Sequence, residues 1–219
     1  MEMSSKFAGL TKDTADVYEE ISQMDCIKDL YLCGGTSIAL QLHHRLSEDL
    51  DFELLGTRKD RPALSYNEII DEVCSKFPGT EKEMLGNDHF QLFLPNRVKL
   101  SFFRPEKSLP SLQVGYKYNN VKTPSLQDLL GMKIFTTTVR TVYRDYYDIY
   151  CLLEAGLDFR IAIKYALDFT RHTVHTKSVL STLTTPQLFF KEPDFDERLQ
   201  PTSILASEDI CERIKAEIG

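Results

Sequence analysis

Asp49 and Asp51 stand two residues apart in the run Ser47-Glu48-Asp49-Leu50-Asp51-Phe52-Glu53. On a β-strand that spacing turns both carboxylates to the same side. Two carboxylates so close repel each other, and both stay ionised at low cost only with a cation between them. Mg²⁺ suits the task, because it binds one or two carboxylates together with substrate phosphates. Upstream, Gly34-Gly35 lies between an apolar segment and a helical pattern. Backbone N–H groups and a helix N-terminus at such a junction can hold a phosphate, and Thr36 and Ser37 add hydroxyls there. A phosphate cradle beside a metal-binding carboxylate pair equips a chain for phosphoryl or nucleotidyl transfer. Taken singly, the glycines read equally well as a turn and the aspartates as a solvated strand face.

The elements that must position these residues follow from periodicity. Residues 11–24 read as an amphipathic helix with Val17, Ile21 and Met24 on one side. A short strand, Leu30 to Cys33, is broken by Gly34-Gly35, and Thr36 to His44 reads as a helix. Leu50 and Phe52 alternate with acids as a half-buried strand, and 65–76 is helical through Ile69, Ile70 and Val73. The stretch 79–118 is strand-rich. Phe90, Leu92 and Leu94, then Val98, Leu100 and Phe102, flank the turn signal Pro95-Asn96 and predict a β-hairpin. Past Pro124 the texture is helical: Ser125 reads as an N-cap for a helix through Phe135, Tyr143 to Leu153 forms another ending near Gly156, and 159–183 holds one or two more. Pro186, Pro193 and Pro201 punctuate a loop-rich stretch before a last helix from about 207. The expected fold class is α/β (α+β), with an α/β core at 1–122 and a mostly helical region at 123–219.

Gly34-Gly35, thirteen residues and then Asp49-Leu50-Asp51-Phe52 match the signature of DNA polymerase β-like nucleotidyltransferases. The longer string GGTSIALQLHHRLSEDLDF resembles the AbiEii/AbiGii toxin family of nucleotidyltransferases. The resemblance covers about residues 28–155. It implies a polymerase β-like core with a small mixed sheet and a catalytic role for Asp49 and Asp51 as ligands of Mg²⁺ (or Mn²⁺). It also implies NTP binding by Gly34, Gly35, Thr36, Ser37, Arg45, Ser47 and Lys99. In the second half, LLGMKIFTTTVRTVYRDYYDIYCLL looks like the family's later motifs. Lys133 would meet the triphosphate, and Arg144, Asp145 and Asp148 would form the last motif, with Asp145 and Asp148 catalytic. Read from the residues alone, the alternative for Lys133 is an ordinary solvated lysine, and for Asp145 and Asp148 a helix-surface pair with Arg144. Arg45 is a phosphate ligand or a cap for the preceding helix.

One departure stands out. Where many polymerase β-like transferases carry a third carboxylate on a later strand, this chain has Val98-Lys99-Leu100-Ser101-Phe102. Ser101 cannot act as a carboxylate base. Three explanations stand side by side: another acid such as Glu53 replaces it, the chemistry proceeds without a third acid and with help from Asp148, or the enzyme is impaired.

Smaller groups are less specific. Ser47, two residues before Asp49, is a position where added negative charge would repel a triphosphate. His172 and His175 have metal-ligand spacing without a third ligand. His44 matches a family position and reads as structural. Tyr143, Tyr146, Tyr147 and Tyr150 read as core, with Tyr146 the candidate for stacking on a base.

The chain has 219 residues, 42% hydrophobic and 27% charged, enough for a sizeable core. Five scattered cysteines without a C-x-x-C pair suggest mostly buried thiols in a reducing compartment. The N-terminal MEMSSKFAGLTKD lacks an apolar signal core, and no run is long enough to cross a membrane, so a cytoplasmic protein without a membrane partner is expected. The net charge of -7 argues against a generic nucleic-acid coat. Its distribution withdraws that objection: residues 1–113 carry a net -6, 114–191 a net +4 and 192–219 a net -5, with no acid from Lys133 to Arg144.

The expected function is therefore a Mg²⁺-dependent nucleotidyltransferase acting on an RNA or tRNA end or a protein. The resemblance makes it the toxin of a bacterial toxin–antitoxin or phage-defence pair, with an antitoxin encoded nearby. The alternatives are a small-molecule nucleotidyltransferase of the antibiotic-modifying kind, or an NTP-binding module without turnover.

Overall fold

A computed structural model describes residues 7–55, 65–86, 88–105, 112–170 and 173–218. The chain divides into two compact units, Met1–Ser125 and Leu126–Gly219.

The first unit is built on a five-stranded mixed sheet, β1 (Tyr31–Cys33), β2 (Leu50–Glu53), β3 (Glu81–Gly86), β4 (His89–Phe93) and β5 (Lys99–Phe103), in the order β1-β2-β5-β4-β3. β2 runs parallel to β5, and the other neighbours are antiparallel. The expected hairpin forms as β4–β5, with Phe90 opposite Phe102 and Leu92 opposite Leu100. Alternation gives this sheet two chemistries. One face carries Leu32, Leu50, Phe52, Phe90, Leu92, Leu100 and Phe102, all buried. Phe102 stacks between Phe52 and Phe90, with ring centroids 5.5 and 5.0 Å away. The core continues into α1 (Lys12–Ser22) through Tyr18 and Ile21 and into α3 (Tyr66–Lys76) through Ile69 and Val73. The opposite face carries Asp51, Glu53, Ser101, His89 and Gln91.

β3 is exposed along its whole length, so it lacks the apolar alternation that marks a half-buried strand. β6 (Val114–Tyr118) and β7 (Val121–Pro124) make a separate hairpin around Asn119, whose φ is +48°. Residues 121–124, where the sequence suggests the approach to a boundary, are thus a strand. The side chains of Asn119 and Asn120 tie this hairpin to Ser22 and Met24 at the end of α1.

The second unit is helical: α4 (Leu126–Thr137), α5 (Tyr143–Glu154), α6 (Phe159–Phe169), α7 (Thr176–Leu183), α8 (Phe195–Leu199) and α9 (Ser207–Ile218). α4 is its centre. Buried residues surround much of α4 (Leu129, Leu130, Gly131, Lys133, Ile134 and Thr137), and α5, α6 and α7 pack on it. Gly131 lets α6 come close, since a Cβ there would lie 2.5 Å from the Tyr165 ring. Asp158 caps α6 by accepting from the Ile161 N–H at 2.9 Å.

Tyr143, Tyr146 and Tyr147 are fully buried and Tyr150 is half-buried. Tyr146 stacks on Phe189 at 3.6 Å and donates its hydroxyl to the Thr182 carbonyl. It is core, and the expectation that it reaches out to stack on a base is corrected. The five cysteines are free; Cys33 and Cys211 are buried and Cys26, Cys74 and Cys151 half-buried. Among the described residues no helix is long and apolar enough to cross a membrane.

Candidate active site

α2 spans Gly34–Leu42, so the helix begins at the glycines, two residues earlier than its apolar pattern suggests. Gly34 has φ +67°, a left-handed conformation that glycine adopts without steric cost. A Cβ at Gly34 would lie 3.0 Å from Asp51 Oδ2. Glycine thus keeps the space above that carboxylate open. Gly34 and Gly35 are half-buried, and their backbone forms the accessible part of the helix start.

The hydroxyls beside them do not share that exposure. Thr36 and Ser37 are buried. The Thr36 hydroxyl donates to the Asp49 carbonyl and pairs with Ser47 Oγ at 2.7 Å, while Ser37 Oγ donates to the Gly34 carbonyl at 3.0 Å. The expectation that these hydroxyls face a phosphate is corrected: they lie on the inner side of the turn and brace the helix start against the Asp49 strand. Ser47 is buried as well, and its backbone N–H donates to the Gly9 carbonyl at 2.8 Å. Arg45 is buried, with Nη1 donating to the Leu46 carbonyl at 2.8 Å; α2 is closed instead by His43, at φ +53°. His44 is buried.

Asp49 and Asp51 emerge on the polar side of β2. Asp49 Oδ2 pairs with Lys99 Nζ at 2.9 Å, and both side chains are about 30% exposed. Along the sheet, Cys33, Asp51, Ser101 and Gln91 form one rung. Ser101 is thus the direct neighbour of Asp51 on the parallel strand. Its hydroxyl lies 3.3 Å from His89 Nε2, and the His89 ring packs on Phe103 with centroids 5.6 Å apart. Desolvation, with the charge of Asp51 second, pushes Glu53 up to about 8, although part of the residue still reaches solvent. Burial, then the charges of Glu53 and Asp51, push the Cys33 thiol well above its usual range. The face thus gathers Asp49, Asp51 and Glu53, with Lys99 paired to Asp49. Among the described residues, no three His, Cys, Asp or Glu side chains converge on a common metal position. His175 is exposed at the start of α7, and His172 lies outside the described residues.

A family model described as the nucleotidyl transferase AbiEii toxin of type IV toxin–antitoxin systems matches residues 17–209. The chain belongs to the AbiEii toxin family. The fold agrees with solved structures. The nucleotidyltransferase toxin MenT4 of Mycobacterium tuberculosis H37Rv superposes with a TM-score of 0.59 at 17% identity, over 94% of this chain and 84% of MenT4. JHP933 from Helicobacter pylori gives 0.51 at 15% identity, over 95% and 91%. A relative in sequence, an uncharacterised protein of Aquifex aeolicus (strain VF5), is 27% identical over 148 residues, 66% of this chain and 68% of its own.

In the helical unit of this AbiEii chain, Lys133, Asp145 and Asp148 form a second constellation. Lys133 Nζ lies 2.7 Å from both Asp145 Oδ1 and Asp148 Oδ2. The lysine side chain is 7% exposed and both aspartates are fully buried. The alternatives of a solvated lysine and a surface carboxylate pair are thereby excluded. Arg140, half-exposed, adds a bond from Nε to Asp145 Oδ2 at 2.9 Å. Burial alone would raise the Asp145 pKa; the charge of Lys133 and the hydrogen bond and charge of Arg140 outweigh it and hold the carboxyl below its ordinary range. A phosphate could reach Lys133 only by opening one of these ion pairs.

His89 is the site residue that sequence reading missed. Its signal was present in the hairpin, because pairing Phe90 with Phe102 puts His89 and Gln91 on the face of Ser101.

Proposed function

We propose that this AbiEii toxin transfers a nucleoside monophosphate from an NTP to an acceptor hydroxyl, on an RNA end such as tRNA or on a protein. The observation that carries the reading is Asp51 on β2, Asp49 just before it and paired with Lys99, and the Gly34 backbone close to Asp51. That donor set fits a Mg²⁺ or Mn²⁺ ion: two carboxylates close together, with a glycine beside one of them where a side chain would crowd its oxygen. When bound, the ion supplies neutralisation of the phosphate charge and Lewis-acid polarisation at phosphorus. The protein's own groups do the rest. The N–H groups at the start of α2 receive the phosphate oxygens. Lys99, on the same face, supplies a further positive charge. The braced hydroxyls of Thr36 and Ser47 fix the glycine turn against the aspartates. The acceptor oxygen forms its bond to the α-phosphorus while the bond to the β-phosphate bridging oxygen breaks and pyrophosphate leaves with the electron pair. Such a toxin would act in the cytoplasm, held in check by its antitoxin, and would serve phage defence.

The test is incubation of the full chain with each α-labelled NTP, Mg²⁺ and bulk tRNA or total protein. Label transfer that vanishes in Asp49→Ala is expected. Full transfer by Asp49→Ala overturns the proposal. Label found only on small molecules marks the antibiotic-type reading, and binding without transfer marks an inert module.

A further inference from the structure

We propose that Ser101 and His89 act as a pair that removes the acceptor proton, in the place where a third carboxylate would serve. The proposal rests on the nucleotidyl-transfer reading above. Three observations support it. Ser101 is the β5 partner of Asp51 in the parallel register, so its hydroxyl opens onto the same face as the proposed ion ligands. Ser101 is buried, and a serine hydroxyl alone is too weak a base to take a proton. Its Oγ lies 3.3 Å from His89 Nε2, within hydrogen-bond reach. The imidazole is steadied by the Phe103 ring and is half-buried, so it retains an aqueous side to which a proton can be released. The hairpin end that carries it is closed by Asp88 and Arg104, which form an ion pair at 2.6 Å while the Arg104 N–H donates to the Asp88 carbonyl.

The step balances without any further reagent. The acceptor hydroxyl gives its proton to Ser101 Oγ as its oxygen bonds the α-phosphorus. Ser101 passes its own proton to His89 Nε2, and the electron pair of the broken phosphoanhydride leaves with pyrophosphate. His89 then returns the proton to water. Ser101 is the group that meets the acceptor, and His89 is a positioning residue that acts through it.

The experiment uses the purified full chain, α-labelled NTPs, Mg²⁺ and a bacterial lysate as the acceptor pool, with acid-precipitable label as the readout. His89→Ala, His89→Gln and Ser101→Ala should each lower kcat by ~10²–10⁴-fold while KM for the NTP and the melting temperature stay close to wild type. His89→Gln keeps a hydrogen-bonding partner for Ser101 but cannot take the proton, which separates proton transfer from packing. Ser101→Asp combined with His89→Ala should recover most of the rate, because a carboxylate beside Asp51 needs no histidine. Wild-type kcat in His89→Ala, or no recovery in the double variant, overturns the pair. So does label attached to Ser101 itself, which would make that serine the acceptor. If Asp49→Ala is inactive while His89→Ala is fully active, only the pair falls. If the wild type transfers no more label than Asp49→Ala, the transfer reading falls and takes the pair with it.

Discussion

Each unit of this toxin holds two aspartates and a lysine, and the two sets are built to opposite ends. Asp49, just before β2, and Asp51, within it, sit two apart and half-buried, with Lys99 Nζ 2.9 Å from Asp49. On α5, Asp145 and Asp148 sit three apart, fully buried, and Lys133 holds both at 2.7 Å. The strand set keeps solvent access, which a site awaiting a cation needs. The helix set is closed, its charges already matched, which is what a helix-to-helix clamp needs. Similar residue types therefore differ in setting through exposure.

The largest effects should separate the two sets by kind. Asp51→Ala on the strand should bring label transfer to background yet leave folding intact, because Asp51 is only half-buried; a collapse of the urea midpoint in that variant would break the contrast. On the helix, Lys133→Met removes the lysine shared by two buried carboxylates, of which Asp145 keeps Arg140, and should cost about 3–5 kcal/mol of stability, read from urea unfolding. A loss of activity with unchanged stability would show instead that Lys133 serves the chemistry directly.

Gly34→Ala tests the opening above Asp51. The left-handed φ and the 3.0 Å approach to Oδ2 should cost ~1–2 kcal/mol and weaken NTP binding more than they weaken the fold. Calorimetric titration with an NTP and Mg²⁺ would measure it, and wild-type affinity would remove glycine from the cradle.

The smallest effect belongs to Arg140→Ala. Arg140 is half-exposed, so its loss at neutral pH should be below about 1 kcal/mol. Its signature lies in acid. The native Asp145 pKa is lowered, so its contribution is present above the unfolded value near ~4 and lost as pH falls through the native one. Removing Arg140 raises that native pKa, and the acid-unfolding transition should move to higher pH. An unmoved transition would assign the lowered pKa to Lys133 alone.

Much of this was legible in the chain. The β4–β5 hairpin followed from the alternation of Phe90, Leu92, Leu100 and Phe102 about Pro95-Asn96, because burial of one face imposes period two. Asp49, Asp51 and the glycines were legible because their chemistry depends on local spacing. The inward turn of Thr36 and Ser37 was not, since a helix start shows its accessible side only once it is packed. β3 escaped because an exposed edge strand carries no apolar period. The burial of Lys133 could not be read from α4, where one charged residue among apolar ones looks the same whether water or two aspartates receive it. His89 depends on cross-strand register, a relation between residues twelve apart that appears only when the hairpin is laid out.

The alternation of the sheet has a practical reach. Phe52, Phe90 and Phe102 form a ring stack on one side, and Asp51, Ser101 and Gln91 stand one position along on the other. Residues that hold the molecule together and residues that could define its reaction thus occupy alternate letters of the same short words. Exchanging a letter of the second kind, as Ser101→Asp would, rewrites the chemistry while the scaffold is left untouched. That makes this sheet a good substrate for engineering, where reactivity can be retuned position by position without first rebuilding a fold.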